Sequence, residues 1–278
     1  MKKTIFILGL LITISFGATF EEAKIAYAKG DYQTSKTILE DLASKGDATA
    51  QNYLGFMYDY GEGVKQDYKK AFEWYEKSAN QGYAFAQYSL GVMYDFGKGV
   101  KQDYFKAKEW YEKAAYQNDA SAQYNLGVMY DFGKGVKQDY KKAKEWYEKA
   151  TVQGLAQAQN NLGNMYRDGL SVKQDYKKAF EWYKKSATQG ESQAQYNLGV
   201  MYDFGKGVKQ DYFKAKEWYE KAANQGHRGA QYNLGVMYHN GHGVKQDKRI
   251  AKQWFGKACD NKDQNACHNY KILNQQGY

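Results

Sequence analysis

The sequence predicts an all-α solenoid, in which helical hairpins of similar sequence stack one against the next. Two observations lead to this prediction: a repeat of 36 residues, and apolar residues at helical spacing inside each repeat. A fixed period of this length is typical of solenoids, because each short unit must bury its apolar faces against its neighbours. The repeat is visible in the six tryptophans, which are Trp74, Trp110, Trp146, Trp182, Trp218 and Trp254. Leu-Gly pairs keep the same spacing, at Leu54-Gly55, Leu90-Gly91, Leu126-Gly127, Leu162-Gly163, Leu198-Gly199 and Leu234-Gly235.

The first half of a unit is illustrated by residues 120–155. A helix is expected over roughly Ala120 to Asp131. Its buried stripe is expected to contain Ala122, Leu126, Met129 and Tyr130, which recur at helical spacing. Gly127 lies inside this helix, where glycine costs about 1 kcal/mol relative to alanine. Because the same glycine recurs in the other units, we expect it to permit close approach of a neighbouring helix.

The second half of the unit begins with a turn. The segment Phe132-Gly133-Lys134-Gly135 ends the first helix, since its two glycines allow a positive φ and a tight reversal. Asp139 is placed as the N-cap of a second helix, which is expected to run to about Gln153 and to end at Gly154. Its buried stripe is expected to contain Ala143, Trp146, Tyr147 and Ala150.

The chain is expected to be one array of such units with distinct ends. Full units are expected at 48–83, 84–119, 120–155, 156–191, 192–227 and 228–263, which together make a repeat domain over 48–263. Residues 18–47 are expected to form a capping hairpin, and residues 264–278 a capping helix in which Tyr270 and Lys271 replace the Leu-Gly pair. Ends that depart from the consensus are typical of solenoid caps.

Residues 1–17 are expected to be a secretory signal peptide. Lys2 and Lys3 precede an apolar run from Ile5 to Ile14, and Ser15-Phe16-Gly17 supplies small residues for cleavage. An uncleaved membrane anchor is the alternative, although the run is too short to span a bilayer comfortably. Cleavage after Gly17 would place the chain in the periplasm or outside the cell, with no membrane span in the mature protein.

The net charge of +9 does not by itself indicate nucleic acid as a partner. A basic protein can bind nucleic acid, anionic lipid or acidic polymer, but export argues against nucleic acid. Several glutamates precede a lysine by four residues, an order that stabilises a helix: Glu73 and Lys77, Glu109 and Lys113, Glu145 and Lys149. A lysine row at the loop ends either contacts acidic wall or lipid groups or maintains solubility: Lys65, Lys101, Lys137, Lys173, Lys209 and Lys245.

The recurring pattern AxAQYNLGxMYxxGxGVxxDxxKAxxWYxKAAxQG resembles the Sel1-like repeat, a relative of the tetratricopeptide repeat with a longer internal loop. The resemblance covers nearly the whole mature chain and implies a right-handed superhelical solenoid of helix-turn-helix repeats. The last unit, KACDNKDQNACHNYKILNQQGY, resembles the Helicobacter cysteine-rich proteins. In that family a Cys pair typically ties adjacent hairpins, and some members are described as penicillin-binding with slow β-lactam hydrolysis.

Cys259 and Cys267 are expected to form a disulfide. They lie eight residues apart across a turn, so their side chains can meet. An even number of cysteines in an exported protein favours a bridge, and two free thiols are the alternative. The bridge would hold a terminal helix that has a neighbour on one side only. The chain carries one such pair, which weakens any transfer of activity from the cysteine-rich proteins.

No active site is visible in the sequence, and neither a cofactor nor a metal is expected. The serine β-lactamase motifs Ser-x-x-Lys, Lys-Thr-Gly and Ser-Asp-Asn are absent. His239 and His242 flank Asn240-Gly241 in a loop, where loop surface is a simpler interpretation than a zinc site. Carboxylates that recur in every unit are better explained as helix caps or helix surface than as catalytic acids.

A binding groove is expected where the first helices line a concave face, as in tetratricopeptide relatives. Tyrosines suit recognition, since they offer a large contact area with a polar tip. Burial between units is the alternative for some of them. The first row is Asn52, Tyr88, Tyr124, Asn160, Tyr196 and Tyr232. The second row is Phe56, Val92, Val128, Asn164, Val200 and Val236, and the third is Asp59, Asp95, Asp131, Arg167, Asp203 and His239.

The unit 156–191 interrupts all three rows through Asn160, Asn164 and Arg167, and it has Ser171 at the second loop glycine. We hypothesise that this polar patch, with Arg167 among aspartates, selects the ligand; neutral drift is the alternative. The candidate ligand-binding residues are Tyr88, Tyr124, Asn160, Asn164, Arg167, Tyr196 and Tyr232.

The leading functional prediction is an exported scaffold that binds an extended protein or peptide without covalent chemistry. Binding or weak hydrolysis of a β-lactam follows from the family resemblance alone. A third alternative is a cell-wall glycan such as peptidoglycan, bound by stacking on tyrosine. The two capped ends favour a monomer.

Overall fold

The computed structural model describes residues 18–278, and the expected signal peptide over residues 1–17 lies outside the described residues. The described chain consists of helices joined by short turns and loops, so the prediction of an all-α chain of tandem hairpins is confirmed. The chain forms two compact units, one ending at Gln102 and the other spanning Asp103–Tyr278. Among the described helices, none is both long and apolar enough to cross a lipid bilayer.

The first unit contains five helices. These are α1 (Phe20–Ala28), α2 (Tyr32–Ser44), α3 (Ala48–Tyr60), α4 (Tyr68–Asn80) and α5 (Ala84–Phe96). Helix α1 packs on α2 and α3 packs on α4, so two hairpins form, and α2 and α4 each pack on the helix that follows. Leu39, Leu54 and Met57 lie at the centre of the core and are fully buried.

The second unit contains ten helices. These are α6 (Tyr104–Tyr116), α7 (Ala120–Phe132), α8 (Tyr140–Val152), α9 (Ala156–Asp168), α10 (Tyr176–Thr188), α11 (Ser192–Phe204), α12 (Tyr212–Asn224), α13 (Arg228–Asn240), α14 (Lys248–Asp260) and α15 (Gln264–Gln275). Each helix packs on the next along the chain, which is the contact order of stacked hairpins.

The turn chemistry follows the sequence closely. Asp139 caps α8 by accepting hydrogen bonds from the backbone N–H groups of Lys141 and Lys142. Gly133 ends α7 in the left-handed region with φ 69°. At Gly127 a Cβ atom would lie 2.5 Å from the ring of Tyr147 on α8, so this glycine permits the close approach of the two helices of the hairpin.

Two details of the predicted helix faces are wrong. Tyr130 and Trp146 are partly buried and do not belong to the fully buried stripes, whose remaining members are buried as expected. The expected pair Glu145 with Lys149 is replaced, because Lys149 Nζ lies 4.0 Å from the centroid of the Trp146 ring. Because the tryptophan is half-exposed, one face of its ring is open to the ammonium group of the lysine three residues later on the same helix.

The same lysine–tryptophan contact occurs in the other repeats, so the tryptophans belong to the half-exposed surface of the second helices. The pairs are Lys77 with Trp74, Lys113 with Trp110, Lys185 with Trp182, Lys221 with Trp218, and Lys257 with Trp254. Ion pairs on these helices run from a lysine to the glutamate four residues later, as in Lys144 with Glu148 at 2.6 Å. The expected pairs of Glu73 with Lys77 and Glu109 with Lys113 give way for the same reason.

Buried glutamines join consecutive hairpins. Gln123 on α7 is 2% exposed and donates from Nε2 to the backbone oxygen of Ala115 on α6, at 3.2 Å. Its Oε1 accepts a hydrogen bond of 2.9 Å from Gln153, which follows α8. Because a buried amide is costly unless its polar atoms are bonded, these contacts fix how neighbouring helices pack.

Candidate functional site

The first helix of most repeats presents one face whose side chains range from half-buried to exposed. On α7 this face carries Tyr124, Val128, Asp131 and Phe132, at positions i, i+4, i+7 and i+8. The ring of Tyr124 lies 5.9 Å from that of Tyr147, a fully buried residue of α8. The predicted groove tyrosine therefore lies on top of a buried tyrosine and exposes part of its own surface.

Other tyrosines of the first row have the same environment. The Tyr196 ring lies 6.0 Å from Tyr219 and stacks at 4.5 Å on His227. The Tyr232 ring lies 5.6 Å from Phe255. Partial burial raises the pKa of the Tyr124 and Tyr196 hydroxyls. These phenols remain neutral and able to donate hydrogen bonds at ordinary pH.

Hydrogen bonds link the half-buried aspartates Asp131 and Asp203 to the hairpin core. Tyr147 donates to Asp131 Oδ2 at 3.0 Å, and Asn161 Nδ2 donates to the Tyr147 hydroxyl at 3.1 Å. Tyr219 donates to Asp203 Oδ2 at 3.0 Å in the same manner. Burial raises the pKa of both carboxyl groups, so each is an acid held partly out of water beneath the surface of the face.

The repeat 156–191 replaces this arrangement. Tyr183 donates to Asn164 Oδ1 at 2.7 Å. Arg167 makes two hydrogen bonds of 2.7 Å to its neighbour Asp168, whose carboxylate raises the pKa of the guanidinium further. Asn160 is buried and accepts a hydrogen bond of 2.9 Å from Asn197 on the next first helix. Asn164 thus joins the two helices of the repeat and Asn160 joins the repeat to the next one, while Arg167 is half-exposed and pairs with an aspartate outside the expected row.

The last full repeat changes two residues together. Phe255 stands where other repeats have the buried tyrosine, and His239 stands where four of them have an aspartate. With no hydroxyl opposite, His239 Nδ1 is buried and has no hydrogen-bond partner among the described residues. His242 stacks at 4.9 Å on the ring of Tyr212. Among the described residues, no group of three histidine, cysteine, aspartate or glutamate side chains could hold a metal ion.

A row of exposed aromatic side chains lies beside the three predicted rows and was not identified from the sequence. It comprises the last residue of several first helices: Tyr60 (62% exposed), Phe96 (65%), Phe132 (66%) and Phe204 (65%). Asp168 and Asn240 take this position in the other two repeats. The signal was present, since each of these aromatics lies eight residues after a first-row residue and therefore on the same helix face.

A pocket of about 570 Å³ lies on this face in the unit that ends at Gln102. It is lined by Asn52, Phe56, Asp59 and Tyr60 of α3 and, among the predicted ligand-binding residues, by Tyr88 of α5. Its other lining residues are Tyr27, Tyr53, Tyr75, Tyr83, Phe85, Ser89 and Val92. The pocket is therefore walled mainly by aromatic rings and contains one carboxylate.

The repeat pattern matches a known sequence family. A profile of the Sel1 repeat matches residues 48–83, 84–119, 120–155, 156–191, 192–227 and 229–263, which is most of the chain. The chain belongs to the Sel1 repeat family. The comparison with curated proteins finds no match to this Sel1 repeat chain.

Solved structures of other Sel1 repeat proteins are similar to it. A Sel1 repeat protein from Oxalobacter formigenes is 38% identical, over 87% of this chain and 100% of that one, with a TM-score of 0.83. A protective antigen of uropathogenic Escherichia coli strains that displays an SLR fold is also 38% identical, over 87% of this chain, with a TM-score of 0.79. This chain covers 52% of that antigen, or about half its length.

Helicobacter pylori cysteine rich protein B is 30% identical over 49% of this chain and 98% of its own. The TM-score between the two structures is 0.38. The family match and the two Sel1 repeat structures do not support β-lactam chemistry or glycan binding in this chain.

Two further features lie at the loop edge of the Sel1 repeats and at the C-terminal turn. The lysine row at the loop ends is exposed in both units. Lys209 and Lys245 line a shallow depression of about 750 Å³ beside Tyr212. The Sγ atoms of Cys259 and Cys267 lie 1.94 Å apart, at disulfide distance, which places α15 directly against the end of α14.

Proposed function

We propose that this Sel1 repeat protein is an interaction scaffold that binds an extended protein or peptide along the face of its first helices. The observation that carries the proposal is the row of exposed aromatics beside half-buried tyrosines. Each of Phe132 and Phe204 leaves about two thirds of its surface in water, 66% and 65%. Exposure of such rings to water is unfavourable, so their burial by a partner would contribute favourable free energy to binding.

The chemistry of the same face favours recognition. Tyrosine is enriched among the residues that contribute most to binding at protein interfaces, and phenylalanine and tyrosine rings both bury a large area. Arg167 remains a candidate for selectivity within the proposed surface, together with Tyr88, Tyr124, Asn164, Tyr196 and Tyr232. Asn160 leaves this set, because it is buried and accepts a hydrogen bond from Asn197. Sel1 repeats generally bind proteins, which agrees with this assignment.

We further propose that the protein acts outside the cytoplasm. The sequence of residues 1–17 has the pattern of a cleaved signal peptide, and the sulfurs of Cys259 and Cys267 lie at bonding distance. Disulfides persist in oxidising compartments, so both observations favour a periplasmic or secreted protein. In this proposal residues 18–47 and 264–278 cap the repeat array over 48–263, and the chain acts as a monomer.

The test is selection of binding peptides from a random display library on the purified full chain without residues 1–17. The double variant Phe132→Ala/Phe204→Ala should lower the affinity of selected peptides by about tenfold or more, since burial of one phenyl ring is worth about 1.5–3 kcal/mol and 1.4 kcal/mol is a factor of ten. The control is Phe105→Ala/Phe213→Ala, which removes rings with 72% and 71% exposure from second helices.

Retention of every selected peptide by Phe132→Ala/Phe204→Ala, or equal loss in the control, would refute the face that we propose. Failure to select any peptide would refute peptide binding itself. The charge-reversing variant Arg167→Glu tests the selectivity hypothesis in the same assay, and unchanged binding of all selected peptides would remove Arg167 from the site.

A further inference from the structure

The aromatic pocket of the first unit contains two hydrogen-bond acceptors that no described residue satisfies. Asn52 Oδ1 is buried and has no hydrogen-bond partner. The Asp59 carboxylate is half-buried, and no described side chain donates a hydrogen bond to it. Both residues lie on α3 and line the pocket, seven residues apart and therefore on one helix face.

Equivalent residues of the second unit are satisfied within the protein. Asp131 and Asp203 each accept a hydrogen bond of 3.0 Å from the tyrosine of the following helix. Asn160, the other asparagine of the first row, accepts at 2.9 Å from Asn197. In the first unit the hydroxyl of the corresponding tyrosine, Tyr75, makes no such hydrogen bond, although Asp59 and Ser89 both lie near enough to affect its pKa. The first unit therefore leaves open two acceptors that the repeat architecture satisfies elsewhere.

Aromatic rings surround these acceptors. The rings of Phe56 and Tyr60 lie 4.5 Å apart, and Tyr27 approaches Phe56 edge-on at 6.5 Å. Tyr83 and Phe85 form a second pair at 5.7 Å. Aromatic faces are electron-rich and attract cations, and this attraction is strongest where water is partly excluded.

Resting on the proposed function, we propose that this pocket binds an arginine side chain of the peptide or protein partner. A guanidinium is planar, so it stacks on aromatic faces while its N–H groups donate in the plane to a carboxylate and an amide oxygen. The pocket volume of about 570 Å³ leaves room for residues that flank the arginine.

The charges around the pocket agree with a cationic guest. Burial raises the pKa of Asp59, and among the charged groups only Lys98 is resolved as lowering it. The ammonium of Lys98 lies 5.6 Å from the centroid of the Tyr68 ring, and Lys98 is not among the residues that line the pocket. A bound guanidinium would supply the Asp59 carboxylate with the donors that its counterparts receive from tyrosine.

The peptide selection described above tests this inference when it is repeated with Asp59→Asn and Asn52→Leu as counter-selection targets. Peptides that bind the parent chain but do not bind the Asp59→Asn variant should be enriched in arginine. Replacement of that arginine by citrulline, which keeps the shape and removes the charge, should weaken binding by about tenfold or more. Asp41→Asn is the control, because it removes the same charge from an exposed carboxylate on α2 of the same unit.

The inference would be supported by selected arginine peptides that bind Asp41→Asn as they bind the parent chain. Their binding should be weakened both by Asp59→Asn in the protein and by citrulline in place of arginine in the peptide. Selected peptides without arginine, or with equal affinity for Asp59→Asn, would overturn it and leave the scaffold function intact. Selection of no peptide at all would overturn the scaffold function and the arginine site with it. The Asn52→Leu variant tests the contribution of the amide acceptor separately from that of the carboxylate, since it removes one acceptor without changing the net charge.

Discussion

The Gly127→Ala substitution tests the packing of the repeat, because two opposing effects of known size meet at one position. Gly127 lies inside α7, and alanine is favoured over glycine there by about 1 kcal/mol. A Cβ atom would lie 2.5 Å from Cδ1 and Cε1 of Tyr147, whereas ordinary contact begins near 3.4 Å. The ring would have to move by 3.4 − 2.5 = 0.9 Å. Tyr147 is 0% exposed and its hydroxyl is bonded to Asp131, so it has little room to move.

Overpacking of this kind costs about 1–3 kcal/mol. The helix propensity offsets about 1 kcal/mol of that, so Gly127→Ala should lower the free energy of unfolding by about 1 kcal/mol. Gly256 on α14 provides the matched control, since a Cβ atom there would lie 3.3 Å from the edge of Tyr270, which is 38% exposed. Gly256→Ala should therefore keep most of the propensity gain and stabilise the chain.

Urea unfolding followed by far-UV circular dichroism measures both variants, and hydrogen exchange assigns the change to the mutated repeat. The second readout is needed because repeat arrays do not always unfold in one step. Both variants share the propensity term, so the difference between them isolates the steric term. Equal stability of the two alanine variants, or a gain at Gly127, would refute the close-approach argument.

Three further predictions follow from the same structure. Ser171 has φ 58°, so Ser171→Gly should raise stability by about 0.5–1 kcal/mol in urea unfolding, and Gly207→Ser should lower it; a loss at Ser171→Gly would contradict the strain argument. Because burial raises the folded pKa of Asp131 above its unfolded value near 3.9, stability should fall as pH rises from about 4 through the folded pKa. The free energy of unfolding of Asp131→Asn should therefore match or exceed that of the parent at pH 7, and this advantage should be lost below pH 4. A difference in stability between the two proteins that stays the same at every pH would refute this reasoning. Reduction of the bond between Cys259 and Cys267 should cost roughly 2–3 kcal/mol and speed hydrogen exchange in the last helix, with no effect of reductant on a Cys259→Ser/Cys267→Ser variant.

Much of the fold could be predicted because the repeat encodes it in local signals. The N-cap Asp139, the left-handed Gly133 and the interior Gly127 each have one physical explanation, and each is found in its expected role. These residues act within one hairpin, over short separations in sequence. Their repetition in successive units left little ambiguity about where helices begin and end.

The errors concern side chains whose position depends on a neighbouring element. Trp146 was expected in the core by its helical spacing, yet the hairpin buries the adjacent Tyr147 and leaves Trp146 to contact Lys149. Gln123 is polar, and nothing in its own repeat shows that it is buried against the carbonyl oxygen of Ala115. Periodicity identifies a face of a helix, but it does not show how far around that face the contact with a neighbour extends.

The candidate site was predicted in part for the same reason. Spacing in the sequence predicts Tyr124 on the groove face. The turn segment that begins at Phe132 predicts only the end of the helix, although Phe132 lies eight residues further along the same face. The pocket at Asp59 required knowledge of where α1, α3 and α5 meet, which no single repeat contains. Repeats within one chain nevertheless act as controls for each other. Tyrosine satisfies the carboxylates of Asp131 and Asp203, so the absence of that bond at Asp59 is a difference between repeats of one fold. A feature that departs from its own repeat at a pocket is a stronger sign of binding than a feature that merely recurs, because recurrence is already explained by the packing that every repeat needs.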